Sequence, residues 1–204
     1  MSKTRVKLFA IASLALASLS CSALQDIQQA MTNLAQLKFK LAGVSDFQLA
    51  GVKLAGRSSL NLTDGASLLA AFQRGALPAS FTVQVAAINP NAASSGSRSP
   101  SATIAGLNWT LLIDNISTIN GDLQAPVTIP AGGEQVLIPL RMNLDLVQFF
   151  RDKGYDHIVK LALALGGASG SPTRLTLRAK PTVTTQFGQI TYPSDIDIVD
   201  KEFR

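Results

Sequence analysis

The chain has very little with which to do covalent chemistry. A single cysteine, Cys21, and a single histidine, His157, occur in 204 residues. One cysteine cannot close an internal disulfide, and one cysteine with one histidine cannot make a zinc site. A Ser-His-Asp device would have to use His157, which stands beside Tyr155 and Asp156. No nucleophile elbow accompanies it, because Gly167-Ala168-Ser169-Gly170 lacks the spacing. Residues 166–171 are glycine-rich, yet no Gly-Lys-Ser/Thr follows and no helix opens there, so they make no phosphate loop. Asp195, Asp197 and Asp200 lack the glycine and terminal glutamate of a calcium loop and would hold a cation only weakly. These gaps predict a non-catalytic protein with no cofactor and no resident metal. His157 is expected at a strand edge in solvent.

Charge is also scarce. Charged residues make up 15% and apolar ones 47%, a balance that excludes disorder over most of the chain. The formal charge of +5 looks basic, but Lys3, Arg5 and Lys7 all precede the first apolar run, and no acid does. Without them, fifteen cations face thirteen acids, a balance of +2. No basic stripe remains to bind nucleic acid. Lys38 and Lys40 alternate with Leu37, Phe39 and Leu41, as on the wet face of a strand. The length suffices for one good core.

The run at residues 8–19, apolar or small throughout, is too short to span a bilayer and fits the apolar region of a secretory leader. It ends Ala17-Ser18-Leu19-Ser20-Cys21. That stretch resembles a bacterial lipobox, with Ser18 where leucine is commoner. The resemblance implies cleavage before Cys21 and acylation of its thiol. An ordinary secretory signal, cut near Ser20 or Ala23, is the alternative. Two or three acyl chains anchor a protein stably where one is marginal. Ser22, rather than aspartate, follows the cysteine, and the sorting pattern of such lipoproteins then implies the outer membrane, facing the periplasm. Leu24, Ile27, Met31 and Leu34 carry the spacing of an amphipathic tether helix. The expected units are a leader at 1–20, the lipidated cysteine and tether helix at 21–36, a β-domain at 37–193 and an acidic tail at 194–204.

Within the β-domain, Phe81, Val83, Val85 and Ala87 fall on one side of an extended run, with Thr82, Gln84 and Ala86 on the other. Asn89-Pro90-Asn91 stops it, since proline removes a donor and asparagine side chains bond nearby backbone in turns. Ala105, Leu107, Trp109, Leu111 and Ile113 form the inner face of a second strand, and Val136, Ile138, Leu140 and Met142 that of a third. Between the first two, residues 92–101 read as a long, Ser-rich hairpin tip. Ala50-Gly51 marks a bulge or bend. Asn120-Gly121 is a hairpin turn signal. Pro139 suggests an edge strand or bulge. Thr63 or Asp64 would cap a short helix holding Leu68, Leu69 and Phe72, and residues 143–153 suggest a second. Val159, Leu161, Leu163 and Leu165 alternate as a strand, followed by Leu175, Leu177 and Ala179. Seven or eight antiparallel strands, each apolar on one side, must cover that side with a second sheet, which predicts an all-β sandwich.

Three pieces carry a family resemblance: the strand ending in Asn89-Pro90-Asn91, the run Ile104-Ala105-Gly106-Leu107-Asn108-Trp109-Thr110-Leu111, and the run Ile129-Pro130-Ala131-Gly132-Gly133-Glu134 leading to Val136-Leu137-Ile138-Pro139-Leu140. In this order and spacing, residues 37–193 resemble the type 2 late-embryogenesis-abundant family, the water-stress and hypersensitive-response domain. Trp109 stands where tyrosine is usual, and the Ser-rich loop is longer than in typical members. The resemblance implies an Ig-like or fibronectin-like sandwich with one or two short helices and a link to desiccation and stress. It brings no catalytic residues, and it suggests lipid held between the sheets. The expected partners are the bilayer, through the acyl chains on Cys21, and either lipid or another envelope component. An assembly role, docking to an envelope protein complex, is the alternative. Asn89, Pro90 and Asn91 are expected to act as a structural turn.

Overall fold

A computed structural model describes residues 37–91, 101–167, 173–185 and 188–203. The leader, Cys21, the tether segment and most of the Ser-rich loop lie outside these residues. Among the described residues, ten strands form two antiparallel sheets, accompanied by three short helices. In chain order they are β1 (Lys38–Leu49), β2 (Val52–Lys53), α1 (Leu62–Gln73), β3 (Pro78–Ile88), β4 (Ala102–Ile113), β5 (Ile116–Gly121), β6 (Val127–Ile129), β7 (Gln135–Asp145), α2 (Leu146–Phe150), α3 (Tyr155–Leu165), β8 (Thr173–Thr185), β9 (Gly188–Thr191) and β10 (Ile196–Phe203). A single 3-10 turn, Arg151–Lys153, joins α2 to α3.

The first sheet runs β2-β1-β3-β7, and the second β10-β8-β4-β5. β6 continues the line of β5 along β4, and β9 that of β10 along β8. The fold is the all-β sandwich expected from the alternation. Phe81, Val83, Val85, Ile138, Leu140 and Met142 of one sheet join Leu107, Leu111, Ile113, Leu175, Leu177 and Val183 of the other in one core. Phe47 and Phe81 stack within it, ring centres 5.2 Å apart. β7 pairs only with β3 among the described residues, and Pro139 sits there without breaking an inner ladder.

Several expectations are corrected. Residues 155–165 form helix α3, not a strand. Their apolar run satisfies both periods: Ile158, Leu161, Ala162 and Leu165 make a helical stripe, and all four are buried. Leucine and alanine favour the helix, and Gly154 and Gly166 bound it. The acidic end is not a free tail, because 196–203 pair with β8 as β10. There Ile196 and Ile198 alternate with the acids, and Ile198 is buried. Asn120-Gly121 lies inside β5, opposite Thr110 and Trp109. The hairpin turn is instead Asp114-Asn115, with φ of 50° and 65°, the left-handed pair of a type I′ turn. Asp114 and Arg174 fasten that turn to the start of β8 through two 2.8 Å bonds.

Smaller shifts follow similar causes. Ala50-Gly51 is the β1–β2 turn, and the bulges of β1 fall between Leu41 and Gly43 and between Ser45 and Gln48. A bulge between Ile104 and Gly106 buries Ile104 and leaves Ala105 half-buried. Asn61 caps α1, its Oδ1 accepting from the Asp64 amide at 2.7 Å. β7 continues to Asp145, which caps α2.

Candidate functional site

Asn89-Pro90-Asn91 is where the two sheets are tied. β6 belongs to the second sheet and β7 to the first, so residues 130–134 cross from one to the other. Asn89, at the end of β3, is fully buried and forms a bridge with Ala131. Its carbonyl accepts from the Gly133 amide, and the Asn91 carbonyl from the Gly132 amide, each at 2.9 Å. Its side-chain Oδ1 accepts from the Asn91 amide at 3.2 Å and from Asn91 Nδ2 at 2.9 Å. Gly132 and Gly133 have φ of 97° and 83°, the left-handed backbone that turns their amides toward the clamp. Pro90, exposed, has no amide to satisfy. A buried side-chain oxygen with two donors avoids the cost of an unmatched polar group. The sequence marks Asn89, Pro90 and Asn91 as a turn. Their partner, forty residues further on, carries no local signal.

Trp109 is the second unusual point. Its ring lies over Gly121, and a Cβ at that position would press into Cζ2 and stand 2.9 Å from Cε2. Its indole Nε1 is buried with no hydrogen-bond partner among the described residues. Beside it, Asp122 Oδ1 accepts from the Leu107 and Leu123 amides at 2.8 and 2.7 Å. Asp122 thus fastens the end of β5 back to β4.

The reactive residue types remain apart. His157 is exposed in the first turn of α3, not on a strand edge. No group of three or more His, Cys, Asp or Glu able to hold a metal occurs among the described residues. Asp197 pairs with Arg178 at 3.1 Å. Burial, and after it the Asp156 carboxylate, raises the Tyr155 phenol above its ordinary value, and burial does the same to Tyr192. The Tyr155 hydroxyl donates to the Gly65 carbonyl at 3.0 Å and its ring lies 5.5 Å from that of Phe72, so it joins α3 to α1.

An open groove of about 470 Å³ lies where Pro78, Ser80, Asn143, Asp145 and Phe149 approach Ile119. Asp145 Oδ1 already accepts from the Leu77 and Val147 amides, at 2.8 and 2.9 Å. Through that one oxygen it caps α2 and holds the residue that precedes β3. The space between the sheets, by contrast, is occupied. Val83, Val85, Leu107, Leu111, Ile138 and Leu177 are 0% exposed, and side chains so enclosed border no void wide enough for water. No helix among the described residues is long and apolar enough to cross a membrane. Cys21 lies outside the described residues.

The fold and these contacts define a two-sheet β-sandwich with a tied crossover. No family model matches the chain, and none of the curated proteins does. Among solved structures it is similar to a protein from Archaeoglobus fulgidus, at 16% identity and a TM-score of 0.37, over 61% of this chain and 84% of that one. It is also similar to a solution structure described as that of a candidate late embryogenesis abundant (LEA) protein. The identity is 13% and the TM-score 0.39, over 96% of this chain and 87% of that one. Likeness this slight carries no functional argument.

Proposed function

We propose that the protein is a non-catalytic envelope lipoprotein, held at the outer membrane through acyl chains on Cys21, whose β-sandwich acts by binding. The observation that carries this reading is the position of the only cysteine, at the end of a short apolar run preceded by Lys3, Arg5 and Lys7. Such a leader places a thiol where acylation would tether the following domain. The stress association rests on the ordered motifs around Asn89, Trp109 and Gly132. The reading takes His157, exposed in the first turn of α3, as a surface residue rather than a catalytic base.

Radiolabelled palmitate fed to expressing cells tests the tether. Label is expected in the unaltered protein and lost in Cys21→Ala, which should become soluble or stay unprocessed. Label persisting in Cys21→Ala contradicts the reading.

The occupied core favours a second reading of what the domain binds. An acyl chain between the sheets would have to displace side chains such as Leu107 and Ile138, both at 0% exposure. Docking on the outside of the sandwich, to an envelope protein complex, needs no such opening. Crosslinking in cells and native mass spectrometry separate the two: a defined protein adduct supports docking, and co-purifying lipid supports a lipid ligand.

A further inference from the structure

The groove where β7 meets α2 holds more hydrogen-bonding capacity than the fold uses. Ser80 and Asn143 stand opposite each other in the register of β3 and β7. Asp145 ends β7, Gln148 and Phe149 follow on α2, and Ile119 comes from β5 in the other sheet. The side chains of Ser80, Asn143 and Gln148 make no hydrogen bond among the described residues. Asp145 bonds the Leu77 and Val147 amides through Oδ1 alone, so Oδ2 keeps its acceptor capacity. Phe149 and Ile119 are half-buried and present apolar surface beside these polar groups.

Charge and shape sort the ligands such a lining would take. It carries one carboxylate and no basic side chain, so a phosphate or carboxylate ligand would meet repulsion without a counter-ion. That counts against anionic lipid. The volume of about 470 Å³ falls within the range of roughly 300–1,000 Å³ of small-ligand sites. The groove is open, which suits a unit within a longer chain better than a small molecule that must be enclosed. A sugar ring has C–H bonds on its faces and hydroxyls around its rim. It therefore matches an apolar wall bordered by amides, a hydroxyl and a carboxylate oxygen. An acetamido substituent adds a donor for Asp145 Oδ2, an acceptor for the Asn143 and Gln148 amides, and a methyl group for Ile119.

We propose that this groove binds a glycan of N-acetylated amino sugars, with one ring against Phe149 and its acetamido N–H donating to Asp145. Ser80, Asn143 and Gln148 bond the acetamido carbonyl and the ring hydroxyls. The inference rests on the proposed binding role of the sandwich, and it adds the chemical class of the ligand and the place that holds it. It leaves the occupied core closed.

The test is a nuclear magnetic resonance titration of the full chain carrying Cys21→Ser, isotopically labelled, with the tetramer of N-acetylglucosamine. Saturable shifts are expected at the side-chain amides of Asn143 and Gln148 and the backbone amides of Leu144 and Phe149. Asn108, exposed on β4 in the other sheet, should not respond. Asn143→Ala and Gln148→Ala should each weaken binding about fivefold, the worth of one hydrogen bond. Both residues are exposed, so the fold should tolerate the changes. Asp145→Asn keeps an oxygen to cap α2 but replaces Oδ2 with a donor, and should weaken binding by a similar factor. Maltotetraose, which has the rings without the acetamido groups, should bind more weakly than the tetramer. No shift, shifts centred elsewhere, unchanged affinity in Asn143→Ala with Gln148→Ala, or equal binding of maltotetraose overturns the proposal. So does a response of these residues to short-chain phosphatidylglycerol but not to the sugar, which would assign the groove to lipid. Failure of the tether would be read separately, as missing palmitate on Cys21, a thiol this assay does not contain.

Discussion

At Gly121 a methyl group would collide with an indole. Trp109 occupies the space a Cβ needs, so Gly121→Ala should cost about 1–3 kcal/mol through overpacking. Urea denaturation followed by far-ultraviolet circular dichroism measures this, and Trp109→Phe in the same chain should restore part of the loss. Asn89→Ala removes a buried acceptor from Asn91 and loosens the crossover between the sheets. A loss of about 1–3 kcal/mol is expected, with Gly132 and Gly133 amides exchanging faster. A variant as stable as the parent would show that the clamp holds nothing. The raised phenols of Tyr155 and Tyr192 set an alkaline limit. Their contribution is fully present below the ordinary value of 10.0 and is lost as the pH rises through their higher folded values. The urea midpoint should therefore hold steady up to that pH and fall above it. At this scale the sequence was half legible. Asn-Pro-Asn reads as a turn because its residue types act locally, but its partners are remote. Asn120-Gly121 misleads because glycine there makes room for Trp109, while Asp114-Asn115 turns the chain without any glycine.

Helix α3 and strand β10 mark the limit of periodicity as a guide to elements. Residues 158–165 satisfy alternation and the helical stripe together, and burial of Ile158 and Ala162, with leucine and alanine propensity, selects the helix. In β10 the acids draw attention away from Ile196 and Ile198, whose alternation is a strand signal too short to stand alone. Ile198 is 1% exposed, so Ile198→Ala should cost about 2–5 kcal/mol, whereas a solvated tail would feel nothing. Thermal unfolding of that variant decides between them. The link between α1 and α3 is weaker. Tyr155→Phe removes one bond to Gly65 and should cost about 0.5–1.5 kcal/mol, visible as faster amide exchange in α1. The long strands were legible because each has one face in the core and one in water.

Across the whole molecule, the two sheets and their shared core follow from alternation repeated along β1, β3, β4, β7 and β8. A strand with one apolar side has no stable solution except to cover it. The same occupied core directs the proposed binding role to the surface rather than the interior. What the domain binds was not legible, because surface recognition leaves no period in a sequence. The tether is a different kind of signal, a short apolar run and one thiol, and it sits outside the described fold. Its presence is the claim on which the functional account stands. Intact-mass spectrometry of the protein isolated from cell membranes tests it most directly. The account expects a chain that begins at Cys21 and carries the added mass of a diacylglyceryl group. A chain that begins after Ser20 or Ala23 without added mass would contradict it.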